Sequence, residues 1–295
     1  MSIELRVVAS AADFETWARI KTVVTPDEPV TAAQLEAQHE DGRLLLLASL
    51  DGADAGCGVS APSSFAARGF LAARVLPQHR RRGVGRELVR ALADHARALG
   101  RTGVNAFVDA ADPGSLAFAR GYGLAEVDYQ LEQVRAVGDE PAPAPVEGVE
   151  LLALDGRRDE FLRAAWPLAL EAYADMPLPG EATFRLETWL REEATCPDGS
   201  FVALEAGEIV GYAGLMDRAE PGTAEHGLTA VRRDRRHRGI ARALKRAQLR
   251  WASRNGVHQL VTWTQRGNEA MQALNRSLGY ADRSRVLTMQ GPLPV

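Results

Sequence analysis

Arg236-His237-Arg238-Gly239-Ile240-Ala241 and, 156 positions earlier, Arg80-Arg81-Arg82-Gly83-Val84-Gly85 are one turn written twice. Each follows a short run that is apolar at alternate positions, Gly227 to Val231 and Ala72 to Leu76, as a strand requires. Each then runs into apolar residues at helical spacing. Ile240, Leu244, Ala247 and Trp251 stop at Gly256, and Val84, Leu88, Leu92, Ala96 and Leu99 stop at Gly100. A helix N-terminus carries unpaired N–H groups and a partial positive charge, so a tight glycine turn leading into it cradles a phosphate or pyrophosphate. The small Ala241 and Gly85 leave room above the first helical turn, and the arginines add charge-assisted hydrogen bonds. A Walker A loop is excluded because neither turn carries its lysine and hydroxyl. A dinucleotide fingerprint is excluded because Leu244 and Leu88 stand where its third glycine belongs.

Working outward, the two copies align without a gap from Val75/Val231 to Gly123/Gly279, with Arg86/Arg242, Leu88/Leu244, Arg90/Arg246 and Gly100/Gly256 among the identical pairs. This is a duplicated domain. After each first helix come a strand (Val104 to Val108, Gln259 to Thr264) and a second amphipathic helix (Ser115 to Arg120, Glu269 to Leu278). Upstream, Phe201 to Ala206 with Glu208 to Leu215, and Leu44 to Leu50 with Ala55 to Val59, read as hairpins. The fold class is α/β, a mixed sheet with helices, in two tandem copies. Ala136 to Gly148, AVGDEPAPAPVEG, has the composition of a semi-rigid spacer. The division expected is an N-terminal domain at 1–136, a linker at 137–148 and a C-terminal domain at 149–295.

With 295 residues, 46% hydrophobic and 25% charged, the chain has ordinary globular composition, and disordered, collagen-like and disulfide-framework classes are excluded. No apolar run approaches the roughly 20 residues that cross a bilayer. No basic, then apolar, leader is seen, so no membrane partner and a cytoplasmic location are expected. Cys57 and Cys196 stand far apart without metal-ligand spacing, so no metal is expected and both read as packing residues. The net charge of −4 argues against nucleic acid as partner, as does the absence of aromatics among the arginines. A monomer or homodimer is expected.

The two turns resemble the acyl-coenzyme A motif of the GNAT superfamily of N-acetyltransferases, which reads Gln or Arg, two residues, Gly, one residue, Gly or Ala. The likeness covers about Leu44 to Val127 and Phe201 to Arg283 and is similar to the tandem bacterial members. It implies two GNAT-like acyl-CoA N-acyltransferase domains and acetyl-CoA as the cofactor. By resemblance, pantetheine pairs with the strand ending at Val231 or Val75. The pyrophosphate meets Arg236, Arg238, Gly239, Ile240, Ala241 and Arg242, or Arg80, Arg82, Gly83, Val84, Gly85 and Arg86. A second element of the family is an asparagine after the next strand, then an apolar residue six on and often a tyrosine seven on. Asn268, Leu274 and Asn275 occupy these places in the second copy, so the asparagine is kept and the tyrosine is not. Asp112, Phe118 and Ala119 occupy them in the first, where both are lost. Asn268 also reads as an N-cap for the helix at Glu269.

A lysine-like amine with pKa near 10.4 is protonated in all but roughly one molecule in a thousand at pH 7, so acetyl transfer profits from a base. Glu225 lies eleven residues before Arg236, the spacing at which some superfamily members carry a catalytic glutamate, and partial burial beside the thioester would raise its pKa. The matching place in the first copy is Gly69. Asn275 stands where the family often has its general acid and is expected to hydrogen-bond the departing sulfur. Asp175 and Tyr173, in the segment before the hairpin, are expected to meet the acceptor, a small-molecule or peptide amine; Asp175 would attract its positive charge. The expectation is an N-acetyltransferase working by direct attack in a ternary complex in the C-terminal copy, with a degenerate N-terminal copy. The alternative is an acyl-CoA-binding regulatory protein without transferase activity.

Overall fold

A computed structural model describes residues 2–26, 29–37, 42–63, 68–176 and 183–294. In chain order the elements are β1 (Ile3–Val7), α1 (Ala11–Val24), α2 (Ala32–Ala37), β2 (Leu44–Leu50), β3 (Ala53–Pro62), β4 (Arg68–Val75), α3 (Val84–Ala98), β5 (Gly103–Asp109), α4 (Pro113–Gly121) and β6 (Ala125–Ala136). They continue with β7 (Val149–Ala153), α5 (Arg158–Ala174), α6 (Leu186–Glu192), β8 (Phe201–Glu205), β9 (Glu208–Asp217), β10 (Thr223–Val231), α7 (Ile240–Arg254), β11 (Gln259–Gln265), α8 (Glu269–Ser277) and β12 (Ala281–Pro292).

The described residues fall into two units, and their borders differ from a linear division of the chain. The first holds residues up to Tyr129 together with those from Val286 onward, and the second most of the residues between Gln130 and Arg285. In the first unit the strand order is β1-β2-β3-β4-β5, closed by Val286–Pro292 of β12, which runs antiparallel to β5. In the second it is β7-β8-β9-β10-β11, closed by Gln130–Ala136 of β6, antiparallel to β11. Each copy's closing strand is therefore supplied from the other end of the repeat. Sequence periodicity does not reveal this, because a strand's alternation marks its buried face and not which distant strand it pairs with.

The residues at 137–148 are no free spacer. Val137 N–H donates to His258 O at 2.8 Å, extending the β6–β11 ladder. Glu140 is buried and paired with Arg135 at 2.5 Å and Arg246 at 3.5 Å, so the segment is anchored to the second unit.

The helical stripes pack as their spacing requires. Val84, Leu88, Leu92 and Ala96 of α3 are buried against Leu46, Ala48, Leu71 and Val104 of the first sheet. Ile240 and Leu244 of α7 are buried against Ala203, Val210 and Ala213 of the second. Both hairpins turn through two left-handed residues, Asp51-Gly52 (φ +50°, +82°) and Ala206-Gly207 (φ +52°, +83°), whose twist matches that of the strands they join.

Candidate active site

In both units a parallel strand pair opens beside the duplicated turn. β10 pairs with β11 only through Thr223, Ala224 and Glu225, opposite Gln259, Leu260 and Val261. β4 pairs with β5 only through Arg68, Gly69 and Phe70, opposite Gly103, Val104 and Asn105. Beyond these points the partners separate, and the edge running to Val231, or Val75, is outside the parallel ladder. An extended ligand can add to such an edge through main-chain hydrogen bonds.

The turn has the same backbone in both units. His237 (φ +64°) and Gly239 (φ +86°) are left-handed, as are Arg81 (φ +62°) and Gly83 (φ +88°). The first intrahelical bonds are Ala243 N–H to Gly239 O and Glu87 N–H to Gly83 O, so the amides just before them remain available to an anion. A side-chain carbon at Gly239 would meet nothing within 4 Å, leaving open space at the cradle. Ile240 and Val84 turn their side chains into the core and offer the site only their amides. Arg236 and Arg80 brace the turn, each donating from Nε to the end of the preceding strand, Val231 O at 3.0 Å and Val75 O at 3.2 Å.

The second turn is held by carboxylates. Arg233 and Arg236 each reach Asp175 at 2.6 Å, and Arg238 reaches Glu205 at 2.7 Å and Glu147 O at 3.0 Å. Arg242 donates to Ser277 Oγ at 2.9 Å. Hydrogen bonds from Arg233, then from Arg236, hold the Asp175 carboxyl down at about 2. Asp175, read from the sequence as a site for the acceptor's charge, is thus engaged by the turn's own arginines. Residues 177–182, which follow Asp175 in this segment, lie outside the described residues. Tyr173, the other acceptor candidate, is stacked on Phe184 (centroids 3.9 Å apart) and edge-on to Trp189, and its hydroxyl is pushed up by burial. It belongs to an aromatic cluster with Trp166, Trp189 and Tyr212.

Glu225 ends the parallel ladder, a quarter exposed, and its Oε2 accepts from Arg218 at 2.8 Å. The sequence led to the expectation of a partly buried carboxylate; the structure places it in an ion pair with Arg218. The strand itself also corrects the comparison between copies. β10 carries a register shift against β9 between His226 and Thr229, whereas β4 runs against β3 without one. The extra residue of the bulge moves the alignment by one: Glu225 lies opposite Met216 and Val261, and the residue so placed in the first unit is Phe70, opposite Ala61 and Asn105, rather than Gly69. Phe70 packs on Phe107 with centroids 5.6 Å apart.

Asn275 is fully buried, and its amide donates to Gln133 Oε1 at 2.9 Å, so the contact expected with the sulfur is replaced by one with β6. Asn268 stands at the start of α8 but makes no side-chain cap bond, whereas Asp112 caps α4 by accepting from Gly114 and Ser115 N–H. The capping reading thus fits the first copy's residue and not the second's.

Two buried groups beside β10 escape sequence reading. His226 donates from Nδ1 to Gln248 Oε1 at 2.9 Å and accepts at Nε2 from the Tyr280 hydroxyl, and burial, with the Lys245 charge, lowers its pKa well below the ordinary value. Lys245, from α7, is itself lowered by burial to about 7. On the opposite face, Glu193 at the end of α6 is pushed up by burial to about 7 and accepts from Tyr212 OH and Leu228 N–H, both at 3.1 Å. No local motif marks a lone glutamate at a helix end, so only the fold shows where it points.

Comparison with known proteins agrees with this geometry. The model of the Acetyltransferase (GNAT) family matches residues 12–124 and 162–280, one match in each copy. The chain therefore belongs to the GNAT acetyltransferase family, and it is an acyl-CoA-dependent N-acetyltransferase of the tandem kind. It is 30% identical to the mycothiol acetyltransferase of Thermomonospora curvata over 86% of this chain and 81% of that protein. It is 31% identical to that of Thermobispora bispora over 70% of each. Among solved structures, a tandem GNAT protein from the clavulanic acid biosynthesis pathway shares the fold with a TM-score of 0.78 at 21% identity, covering 100% of this chain and 99% of that one. A GCN5-related N-acetyltransferase from Sphaerobacter thermophilus does so with 0.78 at 20% identity, covering 99% and 96%.

Proposed function

We propose that the second unit transfers the acetyl group of acetyl-CoA to a primary amine by direct attack, and that the first unit is a catalytically degenerate copy. The observation that carries this is the joining, in the second unit alone among the described residues, of an opened strand pair, a free-amide turn and a carboxylate, Glu225, at the point where the strands part. The first unit has the opened strands and the turn, with Phe70 in place of the carboxylate. The pyrophosphate would lie on the amides from Gly239 to Arg242, and pantetheine along the edge ending at Val231. The neutral amine attacks the thioester carbonyl, the C–S bond breaks, and the sulfur leaves as a thiolate. The nitrogen's proton passes to Glu225 directly or through water. Rate comes mainly from holding amine and thioester together and from strand amides that polarise the carbonyl. No acyl-enzyme step is invoked. The relatives' name makes the amine acceptor of mycothiol acetyltransferase the first to assay, followed by a panel of small and peptide amines.

The test is isothermal titration with acetyl-CoA of the whole chain and of its Gly239 and Gly83 variants. One site lost only with Gly239 supports the reading; two sites assign a cofactor role to the first unit as well; no binding ends it. An acyl-CoA-binding protein without transfer is favoured by one observation, the commitment of the Asn275 amide to Gln133. Tight binding with no turnover on the amine panel would decide for it.

The Asp175 carboxylate competes with a phosphate for Arg233 and Arg236. Exposed pairs of this kind are weak and screened by solvent. Asp175→Asn is therefore expected to tighten acetyl-CoA binding two- to fivefold, with the gain shrinking as salt is raised. A weaker Kd in the variant would instead place Asp175 among the groups that hold the site together.

A further inference from the structure

A bulge leaves one N–H of its strand outside the ladder, and a buried N–H must find an acceptor. In β10 that N–H belongs to Leu228, and it donates to Glu193 Oε1 at 3.1 Å. The space for this carboxylate is kept by two glycines. A side-chain carbon on Gly214 or Gly227 would sit 1.8 or 2.0 Å from Glu193 Oε1. The glutamate is itself fixed, because Arg158 donates to Glu193 O at 2.7 Å, Leu190 O at 2.6 Å and Ala194 O at 3.0 Å. The charged and titratable groups facing it are Arg158 and Tyr173 from α5 and Tyr212 from β9, whose hydroxyl donates to the same oxygen. Glu225 and Gly227 lie two residues apart on β10, about 7 Å along a strand, so the buried carboxylate braces the strand immediately beyond the candidate base.

We propose that Glu193 is a positioning residue for acetyl transfer: by holding the Leu228 N–H it fixes the β10 bulge, and with it the direction of the strand amides that meet the thioester. The regular β4 of the first unit has no bulge to brace. An ionised acceptor holds an N–H more strongly than a neutral one. Burial brings this carboxyl to about 7, so the brace tightens as pH rises through neutrality.

The kinetic arm of the test rests on the acetyl-transfer reading, and the structural arm does not. Glu193→Gln keeps shape and an acceptor oxygen, while Glu193→Ala removes the brace. In the structural arm, Leu228 amide hydrogen exchange is expected to quicken at least tenfold in the alanine variant and to be largely restored in the glutamine variant. Unchanged exchange in Glu193→Ala overturns the proposal whether or not the protein transfers acetyl groups. In the kinetic arm, Glu193→Gln is expected to lower kcat about tenfold at pH 8 with KM for acetyl-CoA within twofold. The unaltered protein is expected to show a rise near pH 7 beyond the amine's own titration, and the glutamine variant to lack it. A glutamine variant with the unaltered profile, or a loss confined to melting temperature, overturns it. Failure of the whole protein to bind acetyl-CoA sinks the acetyl-transfer reading and leaves the exchange result standing.

Discussion

Gly239→Val is expected to lower kcat/KM for acetyl transfer by more than a hundredfold, while Gly83→Val leaves turnover by the second unit within about twofold. Gly239 sits at φ +86° immediately before α7. A non-glycine residue in the left-handed region costs roughly 1–2 kcal/mol, and a β-branched one more. That strain would be relieved by rotating the turn, which would turn the amides of the first helical turn away from a bound phosphate. Each charge-assisted hydrogen bond so lost is worth about 1.5–3 kcal/mol, and two such losses already exceed a hundredfold. Overpacking has no part in the effect, because a side-chain carbon at Gly239 meets nothing within 4 Å. Gly239→Ala should accordingly show a smaller loss than valine. Initial rates at varied acetyl-CoA, with circular dichroism to confirm folding, make the comparison. If the Gly83 variant alone loses activity, the assignment of chemistry to the second unit is reversed.

The turn was legible because its physics is local. A glycine turn among arginines and the start of the following apolar stripe are written within a dozen residues, and the same pattern recurs 156 positions away. The hairpins and helices were legible for the same reason. What the sequence withheld is non-local. The pairing of β6 with β11 and of β12 with β5 is a contact between segments far apart in sequence, which periodicity within one strand does not report. The bulge in β10 is equally silent. A single inserted residue shifts the match from Gly69 to Phe70, so an ungapped alignment assigns the wrong counterpart to Glu225. Asp175 looked like a free carboxylate because nothing near it in sequence is basic, yet its partners Arg233 and Arg236 arrive from 58 and 61 residues away. Glu193 and Arg218 were missed on the same ground: a titratable side chain acquires its role from what the fold places opposite it.

That dependence on the fold bears most heavily on Glu225. Glu225→Gln is expected to reduce kcat about a hundredfold at pH 7, within the 10²–10⁴ range of general base catalysis, and to recover progressively as pH rises. The amide keeps the side chain's shape and an acceptor oxygen but takes up no proton, so the variant depends on amine that is already neutral. For an amine of pKa near 10.4 that fraction grows about tenfold per pH unit below the pKa. The variant's rate should therefore climb with a slope near one, and the gap to the unaltered protein should narrow toward pH 9–10. Arg218, at 2.8 Å, orients the Glu225 carboxylate, and its charge is left without this partner in the variant. Arg218→Met separates the two effects: it keeps the carboxylate and removes its support, so its loss should be smaller and should not recover with pH in the same way. The pH dependence also distinguishes this residue from Glu193, whose substitution should flatten the region near neutrality instead of steepening it. A Glu225→Gln protein with unaltered kcat at pH 7 would remove Glu225 from the mechanism and leave proton transfer to solvent.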